Sequence, residues 1–308
     1  MRFPLLALLL LVGSLAAAEP TSPCRVFFVG NSVTDTVNYG AFAELAKSRG
    51  IDQPWARQMI PGAPLFWIWR DDNGFVNEGF GPAKRALAEH PWDVVTVQPF
   101  DRHIDSNGDE SDLMVINQMI AAQVPKNPAV RFYIYQRWPR MVATDGMSLE
   151  FDKDAYDPKL GRLTVDLTRI KDWESLYARP YTGGWDGTNE TADFFTKLLT
   201  AVRTANPQLS NQPQIIPVGD VMLALHQRMR AGKVPGRDTA WTLYTDGIHL
   251  GIDGSYLVGC TFFATIHRQD PRGLPTEPYG VTDLALAKII QEVVWEVVAS
   301  HPQAGVTK

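Results

Sequence analysis

The stretch FFVGNSVTD, residues 27–35, decides how the chain is read. Phe27, Phe28 and Val29 run straight into Gly30, then Asn31 and Ser32 follow and the chain turns into a helix. A strand that ends in a small polar cluster carries one hydroxyl, Ser32, at its tip. By residue type alone Ser32 is equally a helix N-cap or a nucleophile. Four further apolar runs share the form of the first: PWARQMI from Pro54, DVVTVQP from Asp93, RFYIYQRW from Arg131 and QIIPVG from Gln214. They are short, rich in β-branched and aromatic residues, and bounded by Gly, Pro, Asn or Asp, as buried strands are. Between them YGAFAELAKSRG, GPAKRALAEH and ADFFTKLLTAVRTAN carry apolar residues at helical spacing, the first closed by a Gly where a helix stop wants one. Strands alternating with helices predict a flavodoxin-like α/β/α sandwich around a mostly parallel, five-stranded sheet. In such sheets the working residues gather beyond the carboxyl ends of the strands. Ser32 would stand there after the first strand and Gln98 after the third.

Residues 139–187 break this rhythm: they are polar, turn-rich and aromatic. A loop this long is functional or disordered, and its aromatic content argues for an insertion folded over the carboxyl edge of the sheet. The chain has 308 residues, 45% hydrophobic and 20% charged, with a formal net charge of -5. That balance is globular, and its sign disfavours nucleic acid as a partner. Met1-Arg2, the apolar LLALLLLVG and the small residues SLAAA read as a secretory signal peptide over residues 1–18, ahead of one domain over residues 19–308. The apolar run is shorter than the roughly 20 residues a bilayer needs, which disfavours a membrane anchor. The expected location is therefore periplasmic or secreted. Cys24 and Cys260 are equally a disulfide or two unpaired thiols. No Cys/His pattern points to a metal.

YTDGIHLGIDGSYLVGC, from Tyr244, supplies a partner for the serine. Asp246 stands three residues before His249. A carboxylate, or a backbone carbonyl, can hold one ring nitrogen and leave the other free as a base. A serine needs such a base within hydrogen-bond reach to become a nucleophile. In isolation each piece is an ordinary turn or cap; together, in this order on an alternating fold, they point to acyl transfer.

Gly30-Asn31-Ser32 and Asp246-Gly247-Ile248-His249 together resemble the first and last motifs of the SGNH hydrolase superfamily, the GDSL-like esterases. Asn31 stands where Asp is commoner in that family. The resemblance covers roughly residues 25–265 and is nearest a bacterial branch with a G-N-S first block, associated with sugar-directed esterases. It implies Ser32 as nucleophile, His249 as base and Asp246 as its orienting acid, with no cofactor. It also implies an oxyanion hole of three donors. These are the backbone N–H of Ser32, that of Gly62 in MIPGAP, and a side-chain amide after the third strand. Gln98 stands at that last place instead of the family's asparagine.

The remaining motifs carry less. DSNGDESD from Asp105 lacks the glycine and closing glutamate of a calcium loop and reads as a solvated acidic loop. Asn189-Glu190-Thr191 is a glycosylation sequon, which has meaning only in a glycosylating host. His103 reads as a surface-loop histidine near Gln98. Trp67, Trp138 and Trp185, with Asn31, are candidate substrate-binding residues, since aromatic faces suit sugar rings. The expectation is an esterase acting on acetylated saccharide. A general carboxylesterase or lipase, and a non-catalytic carbohydrate-binding scaffold, are the alternatives.

Overall fold

The structure, a computed structural model, describes residues 23–104, 110–145, 156–157 and 162–306. The segment read as a signal peptide, the first five residues of DSNGDESD and part of 139–187 lie outside the described residues. Among the described residues no helix is long and apolar enough to cross a membrane.

The five predicted strands form as β1 (Val26–Gly30), β2 (Trp55–Met59), β4 (Val94–Val97), β5 (Arg131–Tyr135) and β8 (Gln214–Ile216), all parallel where they pair. A sixth, β3 (Phe75–Val76), pairs antiparallel with β2. A separate hairpin joins β6 (Tyr156–Asp157) to β7 (Arg162–Leu163). The main sheet thus has six strands rather than five, in the order β3-β2-β1-β4-β5-β8. The extra strand spans two exposed residues and has no length over which a period could show. The least regular predicted strand, β2, owes its look to Gln58. That side chain is buried, but it donates to the Asp71 and Asn73 carbonyls and accepts from Ala83 N–H, so no polar group is stranded.

The helices are α1 (Ser32–Asp35), α2 (Tyr39–Lys47), α3 (Leu65–Arg70), α4 (Ala83–Glu89), α5 (Asp112–Gln123), α6 (Trp173–Tyr177), α7 (Ala192–Ala205), α8 (Val218–Arg230), α9 (Ile252–Ile266) and α10 (Leu284–Val298). They make two layers. Along β1, Val26 and Phe28 point into one apolar cluster with α2, α8, α9 and α10. Phe27 and Val29 point into the other with α3, α4, α5 and α7. Period-two alternation puts successive side chains on opposite faces, and both faces are covered, so the strand reads as a continuous apolar run.

The described part of the insertion is anchored in the core. Leu163, Ile170, Trp173, Leu176 and Tyr177 bury themselves in the same cluster as α8 and α9. Trp173 Nε1 donates to Tyr244 Oη (2.9 Å), which donates to the Pro139 carbonyl (2.9 Å). The two cysteines are unpaired. Cys260 is fully buried in α9, and burial pushes its thiol up to about 12, which makes it inert.

Candidate active site

The first strand delivers the serine through a tightly packed turn. A side chain at Gly30 would put its Cβ 1.8 Å from Thr34 Oγ1 and 2.9 Å from Gln98 Cβ. Only glycine fits there. Asn31 then takes an extended conformation and caps α1, its Oδ1 accepting from Val33 N–H (3.0 Å). The cap is therefore Asn31 and not Ser32. The serine, first residue of the helix, is left to make another bond: its Oγ lies 2.9 Å from His249 Nε2.

His249 reaches that point from a loop held at several places. Asp246 Oδ2 lies 2.7 Å from His249 Nδ1. Its other oxygen accepts from the Ile248 and His249 N–H groups, both at 2.7 Å. Burial opposes ionisation of Asp246, but the His249 side chain and these two amides outweigh it and hold the carboxyl below its usual value. The hydrogen bond to Asp246 raises the imidazole above its ordinary 6.5, and partial burial opposes the rise. The loop is pinned from outside by Trp138 Nε1, which donates to the Ile248 carbonyl (2.7 Å), and by Met141 N–H, which donates to Gly247 (2.8 Å).

Gly62 stands after β2 in a Pro61-Gly62 turn with φ +66, closed by Ala63 N–H donating to the Ile60 carbonyl (3.1 Å). A proline followed by a left-handed glycine is the sequence mark of a type II turn. Asn31 Nδ2 donates to the Ala63 carbonyl (3.2 Å), so this turn is tied to the residue before the serine.

Three sequence assignments are corrected. Gln98, 1% exposed, folds its longer side chain back. Its Nε2 donates to the Pro99 carbonyl (2.6 Å), and its Oε1 accepts from Asn31 N–H (3.3 Å) and Thr34 Oγ1 (3.2 Å). It braces the turn that carries Ser32, and its amide N–H is spent on Pro99. Asn31 is fully buried with both amide atoms bonded to the protein, so it is not a substrate contact. Trp138 is fully buried too and offers no ring face; its indole holds the His249 loop. Nothing in its sequence context separates that duty from a platform.

Trp67 and Trp185 remain on the surface, 44% and 73% exposed. The Arg102 guanidinium lies between them, 5.9 Å and 5.8 Å from the two ring centres. His103 packs edge-on against Trp185 at 4.4 Å, and its Nδ1 is 3.4 Å from Tyr181 Oη. Trp67 sits in α3, directly after the Gly62 turn, and Arg102 lies four residues beyond Gln98. Trp67 thus follows the turn after β2, and Trp185 meets the segment after β4 through Arg102 and His103.

Sequence reasoning missed the buried charges beyond β5. Arg137 is fully buried and pairs with Glu190 at 2.9 Å, and Arg140 pairs with Glu190 and with Asp101 (2.7 Å). Burial alone would raise Glu190, but the two guanidinium groups hold its carboxyl below the usual range. Asn189 beside it is buried, so the sequon is closed off in the folded chain. Among the described residues no group of three His, Cys, Asp or Glu could hold a metal ion.

No family model matches the chain, and no curated protein matches it. Solved structures do. A DUF4886 family protein from Bacteroides uniformis ATCC 8492 is similar over 91% of this chain and 96% of its own, with a TM-score of 0.55 at 17% identity. A protein described as a possible lipase from Chitinophaga pinensis DSM 2588 is similar over 79% of this chain and 98% of its own, with a TM-score of 0.41 at 10% identity. At 17% identity the first of these establishes a shared fold, the three-layer α/β/α arrangement, and no more.

Proposed function

We propose that this protein is a serine esterase of the SGNH type, exported from the cell, that removes O-acetyl groups from a carbohydrate. The observation that carries the reading is the hydrogen-bonded chain from Ser32 Oγ through His249 to Asp246, at 2.9 Å and 2.7 Å. A serine, a base and an orienting carboxylate in contact are what acyl transfer requires.

In this mechanism Ser32 Oγ attacks the ester carbonyl carbon while His249 Nε2 takes its proton. Asp246 holds the resulting imidazolium. The oxyanion is held by the Ser32 N–H, which has no acceptor within its own helix at this first position, and by the Gly62 N–H. Such donors are worth about 10²–10³ in rate each. Collapse breaks the bond to the alcohol, which leaves with the proton from His249. Water, deprotonated by the same imidazole, then attacks the acyl-enzyme and releases the carboxylic acid and free Ser32. No cofactor takes part.

The acetylated-saccharide substrate is supported by the exposed Trp67, after the β2 turn, and Trp185, against the segment after β4, whose faces suit the apolar faces of sugar rings. The export signal read at residues 1–18 supports action outside the cytoplasm, its short apolar run disfavours lasting membrane insertion, and the net charge of -5 disfavours a nucleic-acid partner.

The test is acetate release from an aryl acetate and from acetylated polysaccharides, by the wild type and by Ser32→Ala. The expectation is release from both substrates by the wild type and a loss of at least about 10³-fold in the folded variant. Wild-type turnover in Ser32→Ala would end the serine mechanism. Release from the aryl ester alone would keep the esterase and remove the sugar.

A further inference from the structure

The two proposed oxyanion donors belong to different strand ends, and one buried side chain joins them. Asn31 immediately precedes Ser32, and Ala63 immediately follows Gly62. Asn31 Nδ2 donates to the Ala63 carbonyl at 3.2 Å while its Oδ1 accepts from Val33 N–H at 3.0 Å. Its backbone N–H meets Gln98 Oε1 at 3.3 Å. Asn31 thus touches the turns after β1, β2 and β4 at once. Fully buried, it can touch no substrate.

We propose that Asn31 is a positioning residue that sets the spacing between the Ser32 and Gly62 amides through its hydrogen bond to Ala63. The inference rests on the serine esterase reading. An oxyanion hole works only when its donors already point at the oxygen that gains charge, and a misplacement on the order of 1 Å can cost about 10²-fold. The capping half of the side chain needs only an acceptor. The Ala63 half needs a donor, which an amide has and a carboxylate lacks. An aspartate here would therefore keep the cap and lose the tie when ionised, with its charge turned on a carbonyl oxygen. When protonated it would regain the tie.

The elements that meet at this point carry few other ionisable groups. Asp35 on α1 and Arg57 on β2 pair with each other, Arg70 on α3 pairs with Asp71, and Asp246 pairs with His249. Beyond β4, Asp101 pairs with Arg140 and Arg102 lies near Glu110. None of them bonds to the Asn31 side chain, whose partners are Val33 and Ala63.

The experiment measures kcat and KM for an aryl acetate, and the rate of Ser32 labelling by a phosphonofluoridate, across pH. It compares the wild type with Asn31→Asp and Asn31→Ser. Serine keeps the cap but is too short to reach Ala63. The expected result is a kcat about 10- to 100-fold lower for both variants at pH 8, with KM within about twofold. The ratio of Asn31→Asp to wild type should climb as pH falls and its carboxyl takes up a proton, while the Asn31→Ser ratio stays level. A purely structural cap would move neither ratio with pH. Wild-type kcat in Asn31→Ser, or an Asn31→Asp ratio flat across pH, would overturn the inference. A wild-type protein that the phosphonofluoridate does not label would instead overturn the esterase reading on which it rests.

Discussion

Ser32 and His249 arrive at one hydrogen bond by opposite routes. The serine is placed by a local device: a buried strand, a glycine that admits no side chain, and an asparagine cap within two residues. The histidine sits on a loop whose outside supports come from about a hundred residues away, at Trp138 and Met141. The nucleophile half is therefore set by the central strand, and the base half by the start of the insertion. Loss of Ser32 itself should be all-or-none, whereas damage to the supports of either half should be graded.

The largest effect on the base half should come from Asp246→Asn. It removes the partner that fixes the tautomer of His249, and such losses cost about 10³–10⁴-fold in kcat. The sign of the pH effect follows from the same bond. The base works in its neutral form, and Asp246 raises its pKa above 6.5. In the wild type kcat/KM should therefore rise with pH through a limb lying above 6.5. Asp246→Asn should shift that limb to lower pH as well as lower the plateau. A limb that stays in place would mean that Asp246 does not set the basicity of His249.

Trp138→Phe is a milder break in the same half. It leaves the half-buried Ile248 carbonyl without its donor, a cost of at most about 1–3 kcal/mol. The expected outcome is a kcat roughly tenfold lower, a lower Tm, and KM little changed, since the fault lies in where His249 stands. An unchanged kcat with a lowered Tm would show that Met141 and Asp246 hold the loop without help.

The asymmetry also explains what could be read from the sequence. The strand, the glycine and the Ser, Asp, His order were legible because each depends on neighbours in the chain. Gln98 was not, because one extra methylene lets its amide fold onto Pro99, and a residue type does not reveal which way it folds. Trp138 was not, because a tryptophan after a strand fits a sugar platform as well as it fits a loop anchor. The two-residue β3 carried too few positions for a period. The aromatic content of the insertion showed that it folds, but not that Trp173 and Tyr177 would enter the core, since its polar, turn-rich residues give no period to place them.

The smallest expected effect lies outside both halves. Trp185 is held at the surface by contacts with His103 and Arg102 and bonds to nothing in the Ser32–His249–Asp246 chain. If it receives a sugar face, Trp185→Ala should leave aryl acetate turnover unchanged and raise KM for acetylated polysaccharide. An aromatic contact of about 0.5–1.5 kcal/mol corresponds to roughly two- to tenfold in KM. Loss on both substrates would instead tie the surface aromatics to the geometry of the serine, since Arg102 follows Gln98 by only four residues. No change on either would leave Trp67 to carry the sugar, and the same pair of substrates applied to Trp67→Ala would decide it.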